Sequence, residues 1–71
     1  MWKSIITFRS EKQSSYFRID KVCINDVEQQ IETFKLDSGQ FQNQTISLYG
    51  KDVVVSFYTK DVESIAFIKE S

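Results

Sequence analysis

The last third of the chain constrains the fold most, because it consists almost entirely of strand-forming segments separated by short turns. Between positions 45 and 69 the chain contains the segments ISLYG, KDVVVSFYTKD and VESIAFIK. β-branched and aromatic residues supply most of the apolar positions. The pattern predicts strands at about 45–49, 52–59 and 62–69. Gly50 lies in the first turn between them and is expected to take a positive φ.

The start of the chain predicts a hairpin. Residues 2–9 and residues 16–24 both alternate apolar and polar side chains, and the polar segment SEKQSS separates them. Phe17 and Ile19 alternate with Arg18 and Asp20, as in a strand that has one dry face. The aromatic residues expected in the core of this hairpin are Trp2, Phe8 and Phe17.

The hydrophobic period changes between the hairpin and the last third. Val27, Ile31 and Phe34 follow the spacing i, i+4, i+7, which places them on one face of a helix. Asp26 has the chemistry of an N-cap, and Gly39 is able to end a helix in a left-handed conformation. A helix of about ten residues is too short to be stable alone, so we expect it to dock this stripe on the sheet.

These elements predict one α+β domain spanning residues 1–71. Its expected order is β-β-α-β-β-β, in a single, mainly antiparallel, twisted sheet with one amphipathic helix packed on one face. A small open barrel, in which the helical segment is only a connector, is the alternative. Strands 52–59 and 62–69 carry apolar residues on both faces. Since one helix covers one face of a sheet, this excess predicts a homodimer.

The composition argues against an enzyme. The 71 residues include no histidine, one cysteine and two glycines. Zinc sites, activated nucleophiles and phosphate-binding loops need more of these residues, so we expect no catalytic residue, no metal site and no cofactor. Cys23 lies between Val22 and Ile24 and is expected to be a buried thiol. A lone cysteine and the lack of a long apolar stretch predict a cytoplasmic protein that does not enter the membrane.

Charge suggests two candidate surfaces, although the net charge is only −1. Residues 1–21 hold five cations and two carboxylates, a local charge of +3. Cations interleaved with aromatic rings are typical of single-strand nucleic-acid binders. The candidate binding residues of this basic hairpin are Arg9, Lys12, Tyr16, Arg18 and Lys21. The second surface is an acidic helix face suited to a basic partner, formed by Asp26, Glu28, Glu32 and Asp37.

The opening SIITF segment, the capped amphipathic segment and the closing DVESIAFIKE segment together resemble small uncharacterised proteins encoded by phages and plasmids of Gram-positive bacteria. The resemblance implies a protein that binds a host or phage protein, including as an inhibitor. With no catalytic set, we expect a small non-enzymatic protein-protein interaction module that uses a sheet edge or the hairpin. The alternative is a nucleic-acid-binding accessory or regulatory protein that uses the basic hairpin.

Overall fold

The computed structural model describes residues 1–35 and 43–70, and it arranges them around one antiparallel sheet. The strands are β1 (Trp2–Phe8), β2 (Gln13–Ile24), β3 (Val27–Gln29), β4 (Thr45–Gly50), β5 (Val54–Tyr58) and β6 (Val62–Lys69). Their order in the sheet is β5-β4-β2-β1-β6, and β3 pairs with β2 outside this path. Two short 3-10 turns, Ile31–Thr33 and Thr59–Asp61, lie in the connections.

The long strand β2 bends the sheet onto itself. Its first part pairs with β1 and its second part pairs with β4, and both ladders shift register near Ile19. Such bulges increase the local twist and bend the strand. As a result β5, at one end of the sheet, reaches the hairpin: the Phe57 ring lies 5.4 Å from the Phe8 ring and 5.9 Å from the Tyr16 ring, centroid to centroid.

The core lies inside this bend. The partly buried aromatic residues around it include Trp2 and Phe8, in agreement with their expected position. Cys23 is also buried, as its apolar neighbours predict. No helix among the described residues is long and apolar enough to cross a membrane. The buried core cluster consists of Ile6, Ile19, Val22, Ile24, Ile31, Ile46, Leu48 and Val62.

The predicted α+β class is wrong, because no amphipathic helix is present in the described part of the chain. Asn25 and Asp26 have φ values of 49° and 68°. Two positive φ values between the paired residues Ile24 and Val27 form a tight β-hairpin turn, so Asp26 does not cap a helix. Val27 is therefore an exposed strand residue, and Ile31 reaches the core from a 3-10 turn. Gly39, the predicted helix end, lies outside the described residues.

The predicted strands are confirmed with small shifts at their ends, and β6 has the predicted bounds. Gly50 differs from its expected conformation, since its φ is not positive. Residues 25–35, where the helix was predicted, instead contain a turn, the short strand β3 and a 3-10 turn, and the described strands form one antiparallel sheet.

A serine in the core gives a prediction about stability. Ser4 is fully buried, and its Oγ has no hydrogen-bond partner among the described residues. A buried hydroxyl without a partner costs about 1–3 kcal/mol, so Ser4→Ala is expected to raise the free energy of unfolding by about 1 kcal/mol.

Ser47→Ala is the matched control for this substitution. Ser47 is also buried, but its Oγ lies 2.9 Å from the Ser56 Oγ, within hydrogen-bonding distance. Loss of this hydrogen bond in Ser47→Ala is expected to lower the free energy of unfolding by about 1 kcal/mol. Urea denaturation of both variants measures the two effects, and changes of the same sign would contradict the assignment of Ser4 as an unsatisfied group.

Candidate functional site

The predicted basic site is divided between two ends of the hairpin. Arg9 and Lys12 lie in and beside the turn that joins β1 to β2, and the Arg9 Nε donates to the carbonyl oxygen of Lys60 at 2.7 Å. Arg18 is six residues beyond Lys12, which corresponds to about 20 Å of chain at a strand rise of about 3.3 Å per residue. These cations therefore do not form one continuous surface.

The other members of the predicted site already have intramolecular partners. The Arg18 guanidinium forms an ion pair with Asp52, with 2.6 Å between Nη1 and Oδ2. The Lys21 ammonium lies 4.5 Å from the centroid of the Tyr49 ring. Tyr16 packs against the core. The structure does not bring the five predicted binding residues together.

A different surface forms where β2, β1 and β6 lie side by side. Ser4 and Ile6 of β1 are buried, so the alternation of the strand turns Lys3 and Ile5 to the opposite side. The neighbours of these two residues on β6 are Ile68 and Ala66. We use the term outer face for the surface formed by Lys3, Ile5, Phe17, Ala66 and Ile68.

Phe17 belongs to the outer face, and its predicted place in the core is wrong. It is 55% exposed, although it was expected on the dry side together with Ile19. The register between β1 and β2 shifts here, because Trp2 pairs with Ile19 whereas Ser4 pairs with Tyr16. The extra residue reverses the alternation, so Ile19 enters the core while Phe17 points outward.

The outer face combines apolar side chains with one central cation. Lys3 stands between Phe17 on β2 and Ile68 on β6, and Ile68 is 50% exposed. The Lys3 Nζ lies 5.3 Å from the centroid of the Phe17 ring, within the range of a cation–π interaction. Backbone ladders join the three strands beneath these side chains. The result is a row of apolar side chains with a cation at its centre.

Two of the predicted acidic residues, Glu28 and Glu32, line a separate open cleft of about 330 Å³ together with Asp20. Glu28 is on β3 and Glu32 is in a 3-10 turn, so they do not share the predicted helix face. Asp26 lies in the β2–β3 turn, and Asp37 is outside the described residues. No group of three or more metal-ligating side chains is assembled in the described ranges.

Sequence reasoning missed the outer face for an identifiable reason. The signal it did contain was β6, in which both alternating sets of residues are apolar. Ile65 and Phe67 pack against the core, which leaves Ala66 and Ile68 outside. Nothing in the local pattern indicated that Phe17 joins them. No protein-family model, curated protein or solved structure matches this chain.

Proposed function

We propose that this protein is a non-enzymatic protein-protein interaction module of the cytoplasm, and that it binds another protein on its outer face. The observation that supports the proposal is the row formed by Phe17, Lys3 and Ile68 across three paired strands. Apolar side chains scattered singly over a surface need no explanation, whereas a contiguous patch is typical of an interaction site.

The chemistry of the row defines the partner surface. Phe17 and Ile68 favour apolar side chains, and burial of an aromatic residue is a common source of binding energy in interfaces. Lys3 would be desolvated at the centre, so the partner must supply a carboxylate or a carbonyl oxygen there. A strongly basic partner would leave Lys3 buried beside like charge and is disfavoured.

The resemblance to phage and plasmid proteins adds a context to this proposal. It makes a host or phage protein the expected partner, which this protein would bind or inhibit. The nucleic-acid alternative draws less support from the geometry, since its cations lie at two ends of the hairpin and Arg18 is engaged by Asp52.

Capture of a partner by matched double variants tests the proposal. We expect the immobilised wild-type protein to retain a protein from native lysate in the presence of nuclease, and Phe17→Ser with Ile68→Ser to abolish this retention. The control is Val54→Ser with Tyr58→Ser, because these β5 residues are also exposed but lie outside the outer face.

The result separates the two functions. The proposed site is supported if the control double variant still retains the partner protein and the outer-face double variant does not. Equal retention by both pairs would contradict it. Capture that disappears with nuclease and after exchange of Arg9, Arg18 and Lys21 for Glu would instead support nucleic-acid binding.

The single variant Lys3→Glu is expected to weaken capture of the partner at least about tenfold, as for a like charge placed in an interface.

A further inference from the structure

Strand β6 forms one end of the sheet, and in the described part of the chain only β1 pairs with it. The strand has eight residues, VESIAFIK, and is therefore longer than the common strand of about five or six residues. An edge strand presents unpaired backbone N–H and C=O groups, to which a further strand is able to pair.

Within residues 1–35 and 43–70, the hydrogen bonds to β1 determine which backbone groups of β6 are left without a strand partner. Glu70 donates its N–H to the carbonyl oxygen of Met1 at 2.9 Å, and the ladder continues with Ile68 opposite Lys3. Because hydrogen-bonding groups alternate along an antiparallel strand, residues 66 and 68 also direct their backbone groups toward β1. Ile65, Phe67 and Lys69 then direct theirs toward the open edge.

We propose that β6 pairs antiparallel with β6 of a second copy of this chain, with Ala66 on the twofold axis. In this register Ile65 of each copy forms a hydrogen-bonded pair with Phe67 of the other, so the free backbone groups meet each other. Ala66 faces its own equivalent across the axis in a non-hydrogen-bonded pair. A twofold interface of this kind closes on itself and buries both edges.

The charges of β6 favour this register. Glu63 of one copy comes to lie beside Lys69 of the other, and the symmetry repeats the pair at the opposite end. Glu63 is the extra residue at the register shift between the pairs Thr7–Ser64 and Phe8–Val62. A shift of the twofold axis by one residue to Ile65 or to Phe67 separates these two charges.

The other edge of the sheet is a poorer template. Strand β5 has only five residues. The charged residues nearest to its two ends lie in turns and not in the strand itself. One of them, Asp52, is engaged by Arg18. We therefore assign self-pairing to β6.

The dimer goes beyond the proposed function and does not depend on it. The outer face stays open when β6 edges meet, since side chains point away from the plane in which strands pair. Ile68 of one copy lies beside Ser64 of the other in this register. The two outer faces then form one continuous surface with two binding positions.

Charge exchange tests the register in the full chain. Sedimentation equilibrium is expected to show a species of twice the chain mass for the wild type. Glu63→Lys and Lys69→Glu each replace two opposite-charge pairs with two like-charge pairs, so each is expected to weaken the dimer about tenfold. The double variant Glu63→Lys with Lys69→Glu restores the attraction and is expected to dimerise like the wild type. The control, Glu28→Lys with Lys60→Glu, changes exposed residues outside β6 and is expected to have no effect.

Oxidative cross-linking gives a second, independent measurement. Residues in a non-hydrogen-bonded pair have Cα atoms about 4.5 Å apart, which suits a disulfide, so Ala66→Cys is expected to link two copies. Ser64→Cys, also exposed on β6, places its thiols about 13 Å apart in this register and is expected not to link.

The proposed dimer would be overturned by a monomeric wild type at all concentrations, by a charge-exchanged double variant that does not recover, or by preferential linking through Ser64→Cys. A monomer that still captures a partner through the outer face would reject the dimer and leave the proposed function standing. Loss of the dimer in Phe17→Ser alone would indicate pairing through the outer faces and would also reject the β6 register.

Discussion

Replacement of Gly50 by alanine is expected to lower the free energy of unfolding by about 2 kcal/mol, near the middle of the range for overpacking a tight site. A Cβ at this position would lie 2.7 Å from the carbonyl oxygen of Arg18, closer than such atoms approach. It would also lie 3.1 Å from Ile19 Cδ1. The backbone conformation is not the cause, because the φ of Gly50 is not positive.

The Arg18 carbonyl has little freedom to move away from the added methyl group. It accepts a hydrogen bond from the N–H of Lys51 at 3.1 Å, and the N–H of Arg18 donates to Glu70 Oε1 at 2.8 Å. Relief of the clash therefore requires displacement of the β2 bulge. The reduced entropy of the unfolded alanine chain offsets only about 0.4–1 kcal/mol of the cost.

Urea denaturation measures this effect as a lower midpoint with an unchanged slope. Lys51→Ala is the control, since Lys51 is the exposed next residue, and its effect is expected to stay within about 0.5 kcal/mol. A Gly50→Ala variant as stable as the wild type would contradict the close packing of β4 against the bulge.

The strands could be predicted because their signals are local. In β6 the alternation and the turn residues that flank it define both ends, and the observed Val62–Lys69 agrees with the prediction. The same holds for the first hairpin, where a polar segment separates two alternating runs. Each of these patterns is complete within about ten residues, so no distant contact is needed to interpret it.

The segment after β2 was misread because two local signals compete there. Asn25 and Asp26 are good residues for a helix start, and they are also among the residues that tolerate the positive φ values of a tight hairpin turn. The apolar spacing that follows favoured the helix. The turn forms because Val22–Ile24 pair with both β3 and β4. Strand β4 comes from a distant part of the chain, so this pairing is not visible in the local sequence.

The outer face was missed because the Arg18 bulge is stabilised from a distance. Arg18 has a φ of 57°, and its backbone and guanidinium bind Glu70 and Asp52, which are 52 and 34 residues away. These contacts reverse the alternation of β2 and turn Phe17 outward. These distant contacts leave no signal in the alternation of apolar residues along β2, and that alternation alone predicted that Phe17 lies in the core.

Truncation of Ile31 and of Val27 to alanine distinguishes the observed sheet from the predicted helix, because the two structures predict different losses in the free energy of unfolding. Both residues belong to the apolar stripe of the predicted helix, where each would be buried and truncation of either would be costly. In the structure Ile31 is a core residue at 8% exposure, whereas Val27 is 63% exposed on the short strand β3.

Ile31→Ala is therefore expected to lower the free energy of unfolding by about 3 kcal/mol, through lost burial and the cavity it leaves. Val27→Ala removes a side chain that is mostly in water, and we expect a loss of at most about 0.5 kcal/mol from its weaker strand propensity. Denaturation curves of the two variants under identical conditions provide the comparison. Equal, large losses would support the helical stripe, because only a helix that docks this face places both side chains in the core.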